Sequence, residues 1–259
     1  MHLIIAANPN RSDTMELGDK LGKLAKQRGF SVSLWRDGEA PKEADALVVV
    51  GGDGSLIRMA HTAVKHRIPM FGVHAGRVGF LTEVSKDSFS EALTRLEQGE
   101  YRVEQAAMLS CRVNGGEEHL CINDVLIYKH SFSGVAQMTF SIDEDEVGTL
   151  FGDGIVISTP TGATGYSLSA GGPIVAKGLD AMLITPICPH TLHIRPIVAA
   201  MESTVRLTVA DNGFVAADGE RIATVHRGDV ITVTQATETV PLLTFEKRNR
   251  FRLISEKLT

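Results

Sequence analysis

Apolar residues in the first hundred positions fall into short, strand-length runs separated by amphipathic stretches. Residues 3–6, 31–35, 46–50 and 69–73 are apolar or alternating runs of the kind that forms strands. Between these runs, apolar residues recur every three or four positions, as at Leu17, Leu21 and Leu24, which is typical of a helix with one buried face. Strands that alternate with helices predict a doubly wound, parallel α/β domain over residues 1–99.

Beyond residue 99 the pattern changes to strand-like runs without intervening helices, for example at residues 103–113, 118–128 and 135–143. Turn-forming dipeptides separate many of these runs, and each of them favours a tight hairpin; they are Asn114-Gly115, Asp153-Gly154, Asn212-Gly213 and Asp218-Gly219. Residues 100–235 are therefore predicted to form a β-sandwich. Residues 236–259 mix apolar with basic side chains and are predicted to pack back on the first domain.

Composition excludes several classes of protein. A hydrophobic content of 43% and a charged content of 22% are typical of a soluble globular protein. The formal net charge of -5 gives no general reason to expect nucleic acid or an anionic membrane as a partner. The three cysteines form no C-x-x-C pair, and we find neither a signal peptide nor an apolar run of membrane-spanning length. These features predict a cytoplasmic protein.

The first stretch that suggests chemistry is Gly51-Gly52-Asp53-Gly54, which lies between a predicted strand and a predicted helix. Glycines allow a phosphate to approach the backbone N–H groups, and the helix directs its positive end to the same place. The Asp53 carboxylate would repel a phosphate unless it has another task, such as holding a ribose hydroxyl or a metal ion. A tight turn that only requires glycines explains these four residues equally well.

Asn123-Asp124 is a polar pair inside an otherwise apolar strand. Adjacent residues of a strand point to opposite faces, so one of the two side chains should face the core or a cleft and should have a partner there. A bulge or a strand end with both side chains in solvent is the simpler alternative.

A longer polar stretch runs from Gly152 to Pro173, where an apolar strand leads into small hydroxyl residues, glycines and Tyr166. Such residues let a ligand approach the backbone closely, and a tyrosine offers a flat face to a base or a nicotinamide ring. This composition favours ligand binding over a simple polar loop. The Walker A and G-x-G-x-x-G patterns are absent from the sequence, which argues against a P-loop kinase and an ordinary Rossmann dehydrogenase.

Taken together, these stretches resemble the NAD kinase family. Gly51-Gly52-Asp53-Gly54, Asn123-Asp124 and the 152–173 block occur in that family's order and at comparable spacings, and the resemblance covers about residues 3–235. The glycine-aspartate motif is shared with diacylglycerol, sphingosine and 6-phosphofructo-kinases. Thr159-Pro160-Thr161-Gly162, together with Gly171-Gly172-Pro173, is far more specific.

The resemblance implies a phosphotransferase that forms homodimers or homotetramers and transfers phosphate from ATP to the 2′-hydroxyl of the adenosine ribose of NAD, with a divalent cation, Mg²⁺ or Mn²⁺, as cofactor. It implies that Asp53 is the proton acceptor beside Gly54, and that Asn123 and Asp124 hold the adenosine. It further implies a dinucleotide site lined by Asp153, Thr161, Thr164, Gly165, Tyr166, Ser167, Leu168, Ser169 and Cys188. No residue of the chain is assigned as a metal ligand.

The sequence departs from the family pattern at a few of these positions. Asp124 stands where most members have Glu, and Phe151-Gly152 precedes Asp153 where many members carry an arginine. A missing arginine removes one expected contact to a phosphate or to the nicotinamide side. Two alternatives remain: a related kinase that acts on a lipid or a sugar, and a non-catalytic NADP(H)-binding sensor.

Overall fold

A computed structural model describes residues 1–35, 43–76, 78–131, 133–176, 178–191, 193–245 and 253–255 of the chain. The chain divides into two compact units. The α/β unit comprises Met1–Ala106 and Thr239–Thr259, and the all-β unit comprises Ala107–Glu238.

The α/β unit is built on a parallel sheet with the strand order β2-β1-β3-β4. Its strands and helices follow one another along the chain as β1 (His2–Ala7), α1 (Ser12–Gln27), β2 (Ser31–Trp35), β3 (Ala46–Val50), α2 (Asp53–His66), β4 (Met70–His74), β5 (Val84–Ser85) and α3 (Phe89–Gln98). Because the order reverses between β1 and β3, this is the doubly wound arrangement that the sequence predicts.

Both faces of this sheet are covered because successive side chains of its strands alternate between them. Leu3 and Ile5 of β1 belong to an apolar cluster that also contains Leu21 of α1 and Leu93 of α3. On the other face, a Cβ added to Gly72 of β4 would lie 2.9 Å from the Leu56 side chain, so α2 packs there. Buried runs such as Ala46–Val50 therefore read as continuously apolar.

The all-β unit contains two sheets, whose strands are β6 (Arg102–Val113), β7 (His119–Cys121), β8 (Asp124–Lys129), β9 (Ala136–Ile142), β10 (Asp145–Gly152), β11 (Gly154–Ser158), β12 (Ala181–Ile187), β13 (Ile197–Ala200), β14 (Val205–Val209), β15 (Gly213–Ala217), β16 (Glu220–Val225) and β17 (Val230–Thr244). One sheet has the antiparallel order β13-β12-β11-β8-β15-β16. The other contains β10-β9-β14 and the beginning of β17. Side chains of both sheets, such as Phe140 and Ile157, share one apolar cluster, which confirms the predicted sandwich.

Two of the four turn dipeptides lie in hairpins, as the sequence predicts, and all four residues have positive φ. Asp218 and Gly219 join β15 to β16 as a tight hairpin. Asn114 and Gly115 begin the longer connection, residues 114–118, between the antiparallel strands β6 and β7. The expectation of hairpins at the other two is wrong. Asp153-Gly154 joins β10 to β11, and Asn212-Gly213 leads from β14 into β15. In each case the first strand belongs to one sheet and the second strand to the other. There the dipeptide carries the chain from one sheet to the other.

The divisions between the two units fall after Ala106 and after Glu238. The sequence pattern places them a few residues earlier, after residues 99 and 235. Both divisions lie inside continuous strands, β6 and β17, so no composition shift marks them. In the C-terminal stretch, Leu242 of β17 pairs in parallel with Met70 of β4, and the Phe245 ring meets the Phe71 ring edge-on at 5.2 Å. The basic run from Lys247 to Arg252 lies outside the described residues.

A short helical segment links β11 to β12 in the all-β unit. It consists of one 3₁₀ turn, Gly162–Thr164, followed by one α-helical turn, α4 (Tyr166–Ser169). The segment contains most of the residues that the resemblance assigns to the dinucleotide site.

Candidate functional site

Asp53 is the first residue of helix α2 and follows directly on β3 through Gly51 and Gly52. Gly51 has φ +154°, and a Cβ there would overlap with the Ser55 hydroxyl, so this turn requires a glycine. The side chains of Asp53 and Ser55 are half-buried, whereas Gly52 and Gly54 are exposed. The motif therefore leaves open backbone beside the carboxylate, at the positive end of a helix.

The Asp53 carboxylate is held by three consecutive backbone N–H groups of the segment after β4. Phe80 donates to Oδ2 at 2.7 Å, while Leu81 and Thr82 donate to Oδ1 at 3.0 and 3.1 Å. A Cβ at Gly79 would overlap with the carboxylate, so a glycine is needed there as well. The Thr82 hydroxyl donates a longer hydrogen bond to Oδ1 at 3.4 Å. Among the described residues, Oδ2 accepts from Phe80 alone, and since each carboxylate oxygen has about two acceptor positions, Oδ2 can accept one more hydrogen bond, for instance from a hydroxyl group.

A cavity of about 280 Å³ opens at the carboxyl ends of β1 and β3, where the strand order reverses. Ligands of doubly wound sheets bind in that position. The cavity combines an apolar floor with a cation and several amides or hydroxyls; its lining consists of Ala6, Ala7, Asn8, Pro9, Asn10, Trp35, Val49, Val50, Ser55, Arg58 and Met59. A larger cavity of about 370 Å³, between Arg95, Tyr101 and Phe245, contains none of the predicted site residues.

In the all-β unit, Asn123-Asp124 lies at the start of a strand and not inside one. The predicted strand over residues 118–128 is interrupted at Ile122 and Asn123, and β8 begins at Asp124. Because of this bend, the two side chains do not diverge: a Cβ at Gly165 would lie 3.7 Å from Asp124 Oδ2 and 4.0 Å from Asn123 Nδ2. Both functional groups therefore reach the 3₁₀ and α4 segment.

The bend is hydrogen bonded on two sides. The Asp218 carboxylate accepts the N–H groups of Ile122, Asn123 and Asp124 at 2.9, 2.7 and 3.3 Å. Thr159 donates its hydroxyl to the Ile122 carbonyl at 2.6 Å and its N–H to the Asn123 carbonyl at 2.9 Å. Asn123 and Asp124 are thus presented by a backbone with little freedom.

Asp124 is only 8% exposed. Burial, and after it the nearby negative charge of Asp218, raises the pKa of the Asp124 carboxyl to about 7. Ser158 pairs with Asp124 across β11 and β8, so both side chains point to the same face, and its buried hydroxyl has no hydrogen-bond partner among the residues that the structure describes. The site therefore contains a carboxyl group that gains or loses its proton near neutral pH.

The 3₁₀ and α4 segment packs on the Asn123 backbone because Gly162 has no side chain; a Cβ there would overlap with the Asn123 carbonyl. Ser167 is fully buried, and its hydroxyl lies 2.9 Å from that of Thr185 on β12. The Ser167 side chain therefore anchors the segment internally. Thr161, Thr164 and Leu168 are half-buried, and Tyr166 and Ser169 are exposed.

Asp153 lies where the chain passes between the two sheets, and its carboxylate forms an ion pair with Lys129 at 2.6 Å. The hydrogen bond from Lys129, with a smaller contribution from Cys188, lowers the pKa of the Asp153 carboxyl. Desolvation, followed by the charges of Tyr128, Cys188, Asp153 and Asp124, raises the pKa of the Tyr166 phenol. Tyr166, which is 40% exposed, is therefore close to the acidic residues assigned to the dinucleotide site.

The chain matches two family models, described as the ATP-NAD kinase N-terminal domain over residues 36–101 and the ATP-NAD kinase C-terminal domain over residues 122–245. A protein named NAD kinase from Heliobacterium modesticaldum is 39% identical over 224 residues, which covers 84% of this chain and 79% of that protein. This chain belongs to the NAD kinase family. A second protein with that name, from Geotalea daltonii, is 37% identical over 242 residues, covering 91% of this chain and 85% of the relative.

Solved structures of the family have the same fold. An NAD kinase from Archaeoglobus fulgidus in complex with ATP superposes with a TM-score of 0.80 at 26% identity, covering 100% of this chain and 98% of that one. A yeast NADH kinase complexed with NADH superposes with a TM-score of 0.84 at 20% identity, covering 100% of this chain and 87% of that one.

Among the residues that the structure describes, no three His, Cys, Asp or Glu side chains are grouped so that they could hold a metal ion. Mg²⁺ bound with nucleotides is often held mainly by phosphates and water. No helix within the described ranges is both long enough and apolar enough to cross a membrane.

Sequence reasoning overlooked three groups of residues. Lys129 places a cation beside Asp153 from a neighbouring strand, whereas Phe151 and Gly152 directly before Asp153 carry no charge. The sequence marks Asp218 only as part of a hairpin dipeptide, and it gives no sign that Arg58 of helix α2 lines a cavity. A search for Lys or Arg on neighbouring strands could have found Lys129. No residue pattern near Asp218 indicates its role.

Proposed function

We propose that this protein is an NAD kinase, which transfers the terminal phosphoryl group of ATP to the 2′-hydroxyl of the adenosine ribose of NAD and releases NADP and ADP. The observation that carries the proposal is the Asp53 carboxylate, held by three N–H groups at the start of α2 with one acceptor position to spare. The family membership of the chain and the names of its relatives support the same activity.

The cavity beside β1 and β3 is the proposed site for ATP. Its position at the reversal of strand order, its cationic Arg58 and its hydroxyl-bearing Ser55 suit a nucleotide with its phosphates. The A. fulgidus relative in complex with ATP, which has the same fold, supports ATP as the donor here.

The acceptor is assigned to residues of the all-β unit. Asn123 and Asp124 offer an amide and a carboxyl group to the adenosine ribose, and both functional groups lie near Gly165 of the 3₁₀ and α4 segment. Tyr166 and Ser169 are exposed on the α4 turn, where the phenol can stack on a flat ring. Lys129 and Asp153 add one charge of each sign, and Cys188 is exposed beside them.

In the proposed mechanism Asp53 accepts a hydrogen bond from the ribose hydroxyl and orients it for attack on the terminal phosphorus. A carboxylate is far too weak a base to deprotonate an alcohol in the ground state, so the proton moves to Asp53 late, as the phosphorus–oxygen bond forms. The N–H groups of residues 80–82 keep the carboxylate in one orientation. A divalent cation, Mg²⁺ or Mn²⁺, would enter with ATP and neutralise phosphate charge.

The finer expectations belong to the same proposal. We expect a homodimer or homotetramer that acts in the cytoplasm, and parallel assays with NAD and NADH and with ATP and polyphosphate decide the acceptor and the donor. The yeast relative, a NADH kinase with bound NADH, makes the choice between the two acceptors the one to measure first.

One assay tests the proposal against its rivals. The purified protein is incubated with ATP and Mg²⁺ and with NAD, NADH, diacylglycerol or fructose 6-phosphate in parallel reactions. We expect NADP to form from NAD with stoichiometric ADP. Phosphorylation of the lipid or the sugar alone would establish a different kinase, and NADP binding without any turnover would establish a sensor.

A further inference from the structure

Asp218 is a residue to which neither the sequence motifs nor the relatives' names give a role, yet its carboxylate forms hydrogen bonds with the backbone of the acceptor residues. It lies in the turn between β15 and β16, with φ +49° and Gly219 after it at φ +83°. From there its two oxygens accept three consecutive N–H groups, those of Ile122, Asn123 and Asp124. Its own N–H donates to the Asp124 carbonyl at 3.0 Å.

A carboxylate is not needed to make this turn. Asn is equally suited to a left-handed turn position before Gly, and it would form the same hairpin. Only a carboxylate offers acceptors on both branches: Oδ2 serves Ile122, and Oδ1 serves Asn123 and Asp124. An amide nitrogen in either place would face an N–H group and leave it without a partner.

We propose that Asp218 is a positioning residue for the NAD site, where it fixes the bend that brings the Asn123 and Asp124 side chains together on one ligand. The proposal rests on the proposed function, in which these two residues hold the adenosine ribose. Asp218 acts on the acceptor through the backbone of residues 122–124 and through the electric field at Asp124.

The negative charge of Asp218 should affect the pH dependence of NAD binding, which a purely structural residue would not do. The titratable groups facing Asp124 are Asp218 on the hairpin turn, Cys121 on β7 and Tyr166 on α4. Of these, Asp218 is the one that contributes to the raised pKa of Asp124, after burial itself. The ionised Asp124 is the better acceptor for a ribose hydroxyl, so we expect NAD affinity to rise as the pH increases through about 7.

Asp143 provides a matched control. It also occupies a hairpin turn of the all-β unit with positive φ, +55°, and its carboxylate also accepts a backbone N–H of another segment, that of Thr204 at 2.8 Å. Among the described residues, none of those assigned to the acceptor site is a hydrogen-bond partner of Asp143. Asp143→Asn therefore reports what the loss of a turn carboxylate does by itself.

The experiment compares wild type, Asp218→Asn and Asp143→Asn by NAD calorimetry without ATP and by steady-state kinetics, from about pH 5 to about pH 9. For Asp218→Asn we expect NAD affinity to fall about 10- to 100-fold, the loss expected for hydrogen bonds to a charged group. We also expect the midpoint of its pH dependence to move to lower pH, with the KM for ATP unchanged. Asp143→Asn should behave as wild type.

Unchanged NAD affinity and an unchanged pH midpoint in Asp218→Asn would overturn the proposal, and so would equal losses for NAD and ATP that follow a lower Tm. If Asp218→Asn does not fold, Asp218→Glu replaces it. That variant keeps the charge but displaces the oxygens, so it should weaken NAD binding without moving the pH midpoint, and normal NAD affinity in it would also overturn the proposal.

The calorimetry separates this proposal from the proposed function. A wild-type protein that binds NAD but forms no NADP would refute the kinase activity, while the comparison of Asp218→Asn with Asp143→Asn would still decide the role of Asp218. A wild-type protein that does not bind NAD at all would refute both.

Discussion

Each of the two units contains a carboxylate that accepts three consecutive backbone N–H groups, but the two carboxylates have different proposed roles. In the α/β unit, the Asp53 carboxylate accepts the N–H groups of three consecutive residues, 80–82. In the all-β unit, the Asp218 carboxylate accepts those of residues 122–124. Asp53 is itself the proposed acting group, whereas Asp218 holds the backbone of the residues that act.

The difference follows from where each carboxylate lies. Asp53 begins a helix beside open glycine backbone, so the N–H groups fix its orientation and still leave an acceptor position for a hydroxyl. Asp218 lies in a hairpin turn, and its two oxygens serve the neighbouring strand. A carboxylate with three backbone N–H partners is thus not by itself a sign of catalysis. A catalytic role also requires that a substrate group can reach the carboxylate.

Removing the charge of Asp53 should have the largest effect. Asp53→Asn should lower kcat about 10²- to 10⁴-fold, because a general base is lost, with little change in NAD affinity. The measurement is steady-state NADP formation together with NAD calorimetry. Asp13→Asn is the control, since Asp13 also lies in the first turn of a helix, α1, but on the surface. Near-normal turnover in Asp53→Asn would remove Asp53 from the mechanism.

Displacing the Asp53 carboxylate without changing its chemistry should lower kcat somewhat less. In Gly79→Ala the new methyl group would overlap with Asp53 Oδ1, and a shift of about 1 Å in a catalytic group can lower the rate about 100-fold. Gly76→Ala is the control, because a Cβ at Gly76 meets no atom of the described residues within 4 Å. Equal activities of the two variants would show that the 79–82 segment does not position Asp53.

Asp124 should make the stability of the folded protein depend on pH. Its pKa is raised to about 7 in the folded protein, so between the ordinary aspartate pKa and pH 7 the native state holds a proton that the unfolded chain has released. Stability should therefore fall as the pH rises over that range, and the loss should be complete above pH 7. Asp124→Asn, which cannot ionise, should be more stable than wild type at pH 8, on the order of 4 kcal/mol, and hardly so at pH 4.

Urea unfolding of Asp124→Asn at the two pH values measures this difference, and NAD binding should weaken in the same variant. Asp229→Asn is a control of opposite sign, because the hydrogen bond from Asn114 lowers the pKa of Asp229. A gain in stability at pH 8 for both variants would mean that the burial of Asp124 is not the cause.

The smallest expected effect concerns the ion pair between Lys129 and Asp153. Lys129→Met should raise the KM for NAD by at most about fivefold, as a partly exposed ion pair contributes up to about 1 kcal/mol, and high salt should reduce the difference. Arg112→Met, which removes the ion pair with Glu118 on the same unit, should leave the KM unchanged. A KM for NAD that does not respond to Lys129→Met would exclude Lys129 from the acceptor site.

Much of the fold could be read from the sequence because local patterns encode it. The apolar run at residues 46–50 is β3 to the residue, and the glycines after it lead into α2 as the motif indicates. The reading failed where a pattern has two uses. Asp153-Gly154 has the composition of a hairpin turn but joins two sheets, and Asn123-Asp124 interrupts a run that is apolar on both sides.

By itself, the sequence determined the order of strands and helices, the two classes of architecture and the family, since periodicity and short motifs depend on neighbouring residues. Only the tertiary structure decided which backbone groups hold the functional carboxylates. Asp53 reaches N–H groups 27 to 29 residues away, and Asp218 reaches N–H groups 94 to 96 residues away. These partners are backbone atoms, which every residue type except proline supplies, so no residue pattern marks them until the strands have paired.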